Sequence, residues 1–165
     1  PISTISNRPA RISSNSAELA ELLEIRAGLF EIVVRKLAAH PSPELLDMLR
    51  GGVLRLQELS SLPDGGNDYA ETTYRLLILC ARHSGNVRLA RMLSALSLQT
   101  LRYSKLGLAS LARRQRSAQL WQETVDALAQ GDVERTVALT RQRIEESADE
   151  AIQQLASQRN LESSP

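Results

Sequence analysis

Residues 16–39, SAELAELLEIRAGLFEIVVRKLAA, are the stretch that decides the fold of this chain of 165 residues. Ser16 can cap a helix, and the helix should end near His40-Pro41, because proline pushes the residue before it out of the α region. Apolar side chains cover a wide surface of this helix, at Leu19, Leu22, Leu23, Leu29, Phe30, Val33 and Leu37. Such a surface is typical of a helix that has neighbours on several sides. We therefore expect a central helix.

Cap and stop signals divide the rest of the chain into further helices. Ser42-Pro43 opens the second helix, in which the pair Gly51-Gly52 predicts a bend or break. Gly131-Asp132 ends the fifth helix and caps the last one. A loop is expected at 62–67, and the later helices are predicted at about 68–83, 86–107, 112–130 and 132–158. Together with an aromatic content of only 3%, this pattern predicts an all-α fold, an antiparallel bundle of six to seven helices.

The two ends of the chain differ from the helical part. Residues 1–16, PISTISNRPARISSNS, are rich in Ser, Pro and Asn and show no periodicity, so they are predicted to be a linker or arm. Residues 17–158 are predicted to form one helical domain, and residues 159–165 a frayed tail. Because the sequence begins at Pro1 rather than Met, we interpret it as a fragment.

The balance of charged residues argues against a domain that binds DNA by itself. The chain has 20 Lys and Arg residues and 19 Asp and Glu residues, whereas duplex-binding domains usually carry a marked basic excess. The dense basic run Arg113-Arg114-Gln115-Arg116 is interpreted as a solvated helix face or loop rather than as a phosphate site. No apolar stretch approaches the roughly 18 residues that span a bilayer, and no signal peptide is visible, so a cytoplasmic location is expected.

Residues with catalytic potential are few. No phosphate-binding glycine loop, nucleophile elbow or paired metal-ligand spacing occurs in the sequence. His40 and His83 fall at predicted helix ends, and Cys80 lies in an apolar run, which indicates a buried packing thiol. We expect no enzyme and no cofactor.

Two sets of polar residues border predicted core faces. Thr136, Thr140, Arg143 and Ser147 follow one line along the last helix. They could line a cavity for a polar or anionic ligand, or the hydroxyls could bond back to the helix while Arg143 reaches water. Arg26 lies within an apolar stretch of the first helix, where its partner could be a bound anion or a salt bridge to the neighbours of Glu24, to Glu146 or to Asp149.

Three short motifs carry a resemblance to a known family. Leu23-Glu24-Ile25-Arg26, Ser84-Gly85-Asn86 and the segment ALAQGD at 127–132 resemble, in order and spacing, the effector domain of GntR-family transcription regulators of the FadR subfamily. The resemblance covers about residues 17–155. It implies a homodimeric, ligand-sensing domain of a bacterial regulator, with a small-molecule effector and no membrane contact. It also implies that operator DNA is bound only through a preceding winged helix-turn-helix domain, which has no counterpart in this sequence.

Most effector domains of this class hold a metal ion with an Asp and three His. The resemblance places these four positions at Thr73, Leu77, Trp121 and Arg143, none of which can act as the expected ligand. We therefore expect no metal.

The sequence is more similar to the metal-free, fatty-acyl-CoA-responsive branch of the subfamily, in the segment YSKLG at 103–107 and in Glu146-Ser147. The resemblance implies ligand-binding roles for Arg26, Tyr103, Glu146 and Ser147. Arg143 stands where that branch has a tyrosine, and it would favour a carboxylate.

The leading hypothesis is a sensor that binds a small organic acid or a fatty acyl-CoA without a metal. Arg26 and Arg143 would anchor the anion. The polar shell would come from Tyr103, Thr140, Glu146 and Ser147, and the apolar wall from Leu77 and Trp121, with Leu76 and Cys80. The alternatives are a structural dimerisation module with a filled core and no ligand, and an enzyme of unknown type.

Overall fold

The computed structural model describes residues 16–164, and these residues form six helices and no strand. The helices are α1 (Ser16–Ala39), α2 (Pro43–Ser60), α3 (Gly66–His83), α4 (Val87–Gly107), α5 (Leu111–Ala129) and α6 (Val133–Glu162). The predicted all-α bundle is thus confirmed. The predicted linker lies outside the described residues, apart from Ser16, which begins α1. At the other end, α6 continues to Glu162.

Helix α1 has the central position that its wide apolar surface predicts. It packs against α3, α4, α5 and α6. Phe30 and Val33 of α1 are buried in the main core, together with Leu45 and Leu49 of α2. A smaller cluster joins the N-terminal part of α1 to the ends of α4 and α6, through Leu19, Leu23, Tyr103, Ala151 and Leu155. No helix of the described chain is both long and apolar enough to cross a bilayer.

Local side-chain chemistry sets the helix starts. The side-chain oxygens of Ser42, Asn86, Ser110 and Asp132 each accept a hydrogen bond from the backbone N–H three residues later. Gly131, with φ of 69°, takes the left-handed conformation that ends α5. The predicted caps at Ser42 and Asp132 are therefore confirmed.

Two glycines let helices approach closely. Helix α2 runs unbroken through Gly51-Gly52, so the predicted break is wrong. Gly52 instead lies against Leu76 of α3, where a Cβ atom would collide with the leucine side chain. At Gly107, a Cβ atom would collide with the carbonyl oxygen of Ser147. The end of α4 can therefore lie directly against α6.

The basic run at the start of α5 corrects another expectation. Arg114 is fully buried, not part of a solvated face. Its guanidinium donates to the carbonyl oxygens of Leu108 at 3.0 Å, Ala109 at 2.7 Å, Leu62 at 2.7 Å and Pro63 at 3.3 Å. It thereby ties the α2–α3 loop to the α4–α5 connection.

Candidate functional site

An interior cavity lies among α1, α3, α4, α5 and α6, and two arginines and several hydroxyl groups line it. Its volume is about 30 Å³, and a site needs roughly 10–15 Å³ to hold one water molecule. The polar lining consists of Arg26, Arg143, Thr73, Tyr74, Ser97, Ser104, Ser117 and Ser147. Ala70, Leu77, Leu101, Leu108 and Ile144 form the apolar lining. The cavity is therefore small and polar, and it carries positive charge.

Arg26 reaches this cavity from α1 and is 7% exposed. Its Nη1 atom donates to Thr100 Oγ1 at 2.9 Å and to Ser104 Oγ at 3.4 Å, while its buried Nε atom has no partner. The salt bridge to Glu146 considered from the sequence is absent, because that carboxylate pairs with Arg113 and Arg116. Burial lowers the pKa of Arg26 to about 10, so the guanidinium stays charged at neutral pH.

Arg143 reaches the cavity from α6 and is 5% exposed. Its Cζ atom lies 3.8 Å from the centre of the Trp121 ring of α5, a cation–π contact. Its Nε and Nη2 atoms are buried without a hydrogen-bond partner. Burial is the main cause that lowers the pKa of Arg143 to about 10, and the positive charge of Arg26 lowers it further.

The titratable groups that act electrostatically on Arg143 supply no negative charge. Burial raises the pKa of Tyr69 and that of the Cys80 thiol to about 12 each, so both groups are neutral at pH 7. No Asp or Glu lines the cavity. The two guanidiniums are thus buried together without a compensating anion from the described chain.

The structure brings together four of the residues predicted to bind a ligand. Arg26, Arg143, Ser147 and Leu77 line the cavity, and Trp121 joins them through its contact with Arg143. These residues come from α1, α3, α5 and α6, and α4 supplies further lining residues. The cavity therefore depends on how five helices pack together.

The other three predicted residues lie away from this cavity. Thr140 is buried with an unpartnered Oγ1 atom, and it borders a groove between α1 and α6. Tyr103 belongs to the smaller apolar cluster and contacts Arg102. Glu146 forms ion pairs with Arg113 and Arg116.

Sequence reasoning misses the hydroxyls of α4. Ser97 and Ser104 line the cavity, and Thr100 holds Arg26. The helical spacing of these three residues, three and then four positions, is a signal that could have found them.

The residues present do not suit the metal site that is common in the related effector class. Thr73, Leu77 and Arg143 line the same cavity, and Trp121 stacks on Arg143, so the four positions do converge. Their side chains offer one hydroxyl oxygen and a protonated guanidinium, which is not a ligand set for a transition metal. Within residues 16–164, no three His, Cys, Asp or Glu residues group as a metal site would need. His40 and His83 are exposed.

A larger groove of about 470 Å³ runs between α1 and α6. Its floor is apolar, with Leu23, Ala27 and Ile144 among the lining residues. Acidic side chains border it, namely Glu24, Glu31, Glu145 and Asp149, with Arg141 as the single basic residue. An anionic ligand would meet repulsion there.

Comparison with known families decides the classification. The model of the FCD domain matches residues 21–146. This chain belongs to the FCD domain family. FCD domains are the C-terminal domains of GntR-family regulators, so the predicted effector domain of a GntR-family regulator is confirmed.

A solved structure has the same fold as this FCD domain. It is the structure of Lar, described as controlling the expression of the Listeria monocytogenes agr system and mediating virulence. The TM-score is 0.67 and the sequence identity 17%, over 87% of this chain and 65% of Lar. The FCD domain thus spans about two thirds of the length of that regulator. No protein of curated function matches the sequence.

Proposed function

We propose that this FCD domain is the effector-sensing domain of a cytoplasmic, homodimeric GntR-family regulator of the FadR subfamily, and that it binds a small organic acid. The observation that carries the proposal is the pair of buried guanidiniums, Arg26 and Arg143, which have no carboxylate partner in the described chain. A buried charge without a counterion is costly. A bound carboxylate would supply the bidentate acceptor that a guanidinium favours.

The geometry favours a small acid over a fatty acyl-CoA. The charged cavity measures about 30 Å³, and it leaves no room for a long acyl chain in this packing. The α1–α6 groove is larger, but its acidic border would repel the phosphates of coenzyme A. A short carboxylate between the two arginines avoids the acidic groove, and it needs far less expansion of the cavity than a long acyl chain does.

We further propose that binding is independent of a metal ion. A divalent cation in this cavity would face two guanidiniums and no carboxylate or imidazole ligand. The Arg143 guanidinium on Trp121 already supplies a fixed positive charge. The role of the domain is thus to sense a metabolite, not to transform it.

Binding of an acid would be read out as a change in helix packing. Because the cavity holds only about two water molecules, a carboxylate has to push its walls apart. Ser104 of α4 and Ser147 of α6 both lie on these walls, and Gly107 lets the two helices touch nearby. Two packings of similar energy would let the ligand bias a DNA-binding domain that precedes this domain in the full regulator.

A thermal-shift screen tests the proposed function. Small carboxylates, fatty acids and acyl-CoAs are added to the purified chain in the presence of EDTA, and we expect a small carboxylate to raise the melting temperature. Arg26→Ala should abolish that rise and still give a cooperative melting transition. Arg91→Ala, at an exposed site on α4, should leave it unchanged.

Two results would overturn the proposal. One is the absence of any stabilising acid for the unmodified chain, as a purely structural dimerisation module would show. The other is an Arg26→Ala variant that is stabilised as strongly as the unmodified chain.

A further inference from the structure

The interior cavity contains two positive charges, and one acid group would neutralise only one of them. Arg26 and Arg143 both line the cavity, and each is more than nine-tenths buried. A single negative charge would leave one of the two cations uncompensated in a medium of low dielectric constant, where an unpaired charge is costly. The cavity therefore has a deficit of two negative charges.

The two cations are also held by different parts of the bundle. Arg26 extends from α1 and is tied to Thr100 and Ser104 of α4. Arg143 extends from α6 and lies on Trp121 of α5. Neither guanidinium shares its anchor with the other. Both residues line the cavity, and the Nε atom of Arg26 and the Nε and Nη2 atoms of Arg143 are buried without a partner in the described chain.

We infer that this cavity selects compact anions with two negative charges over anions with one, so that each guanidinium meets a charge of its own. This inference rests on the proposed function and specifies the class of ligand. Short dicarboxylates and inorganic phosphate share the required chemistry. The buried hydroxyls of Thr73 and Ser97, which have no partner in the described chain, lie on the same lining and can donate to the remaining oxygens.

Matched pairs of anions test this selectivity. Melting temperatures of the purified chain are measured at constant ionic strength with malonate, succinate and glutarate. Propionate, butyrate and valerate have the same carbon counts with one acid group fewer. Succinamate replaces one carboxylate of succinate by a neutral amide of similar size. Phosphate is compared with chloride, which separates the phosphate source of the dianion from the dicarboxylate source.

We expect at least one dianion to stabilise the chain at a concentration at least tenfold lower than its matched monoanion requires. Arg26→Met and Arg143→Met each remove one charge at similar side-chain length, and each should reduce that advantage to threefold or less. Arg91→Met is the matched control at an exposed position, and it should keep the full advantage.

The outcomes separate the two proposals. If every monoanion stabilises the chain as well as its matched dianion, the inference fails while the proposed function stands. If no acid of either charge stabilises the chain, both fail. If the dianion advantage persists in both methionine variants, the selectivity arises elsewhere and the assignment to this cavity is wrong.

Discussion

Two regions of this FCD domain contain buried arginines, and the groups that surround them differ. Arg114 directs its guanidinium to four backbone carbonyl oxygens at the end of the bundle formed by the α2–α3 and α4–α5 connections. In the interior cavity, Arg26 has two hydroxyl acceptors, and Arg143 has the face of an indole ring. Both regions bury charge, but only the first surrounds it with carbonyl oxygens.

The acceptors around each arginine distinguish a structural role from the ligand-binding role proposed for Arg26 and Arg143. The acceptors of Arg114 belong to chain segments that need the guanidinium, because their carbonyl oxygens would otherwise be unsatisfied. Arg26 and Arg143 line the cavity, and the Nε atom of Arg26 and the Nε and Nη2 atoms of Arg143 are buried without an acceptor in the described chain. The Nε atom of Arg114 also lacks an acceptor, but both of its Nη atoms donate to carbonyl oxygens. Replacing the arginine should therefore have opposite effects on stability in the two regions.

The largest effect is expected at Arg114. Arg114→Met removes four hydrogen bonds and leaves the carbonyl oxygens of Leu62, Pro63, Leu108 and Ala109 without their donor. The free energy of unfolding, measured by urea denaturation, should fall by about 3–5 kcal/mol. Arg116→Met is the control, since Arg116 forms only a partly exposed ion pair with Glu146, and it should change this free energy by less than about 1 kcal/mol. Equal losses in the two variants would contradict the structural role of Arg114.

A smaller effect of opposite sign is expected at Arg143 without ligand. The lowering of its pKa to about 10 by burial corresponds to a cost of about 3 kcal/mol at 1.36 kcal/mol per unit. The cation–π contact with Trp121 offsets about 2 kcal/mol of this cost. Arg143→Met should therefore raise the free energy of unfolding by about 1 kcal/mol in anion-free buffer. A loss of 2 kcal/mol or more would show that Arg143 stabilises the fold as Arg114 does.

The smallest effect is expected from pH. Burial sets the pKa of both Arg26 and Arg143 at about 10, so the folded protein keeps both charges well below that pH. Because these are bases with lowered pKa values, their burial cost is constant at neutral pH, and it falls only as the pH rises through 10. The affinity for a fully ionised dianion, measured by calorimetry, should change less than twofold between pH 6.5 and 8.5. A steep rise in affinity towards pH 6.5 would point to an imidazole in the site, because its protonation adds a positive charge there.

Much of the fold could be predicted from the sequence because helix ends depend on neighbouring residues. Ser42-Pro43 and Gly131-Asp132 act within one turn of chain, and the structure has helix boundaries where they place them. The prediction of a break at Gly51-Gly52 was wrong, since Gly52 admits the side chain of Leu76 from another helix. Helix propensity alone carries no information about that neighbour.

The candidate site could be predicted only in part. Arg26 and Arg143 stand out because they interrupt apolar faces, and both line the cavity. Tyr103 and Glu146 came from family resemblance, and here they contact Arg102 and the pair Arg113 and Arg116. Ser97 was missed because one serine within a helix is common, and its place on the cavity depends on how α4 is rotated against α1 and α6.

The sequence by itself determined where most of the helices begin and end, to within a few residues, and that the first of them is central, because caps, proline, glycine and apolar periodicity act over a few neighbouring residues. Only the tertiary structure decided the roles of the buried arginines. Arg113, Arg114 and Arg116 look alike in the sequence, but only Arg114 meets carbonyl oxygens from residues more than 50 positions away. The charge of a side chain is fixed by its own residue type, whereas its counterion depends on which helices pack against it.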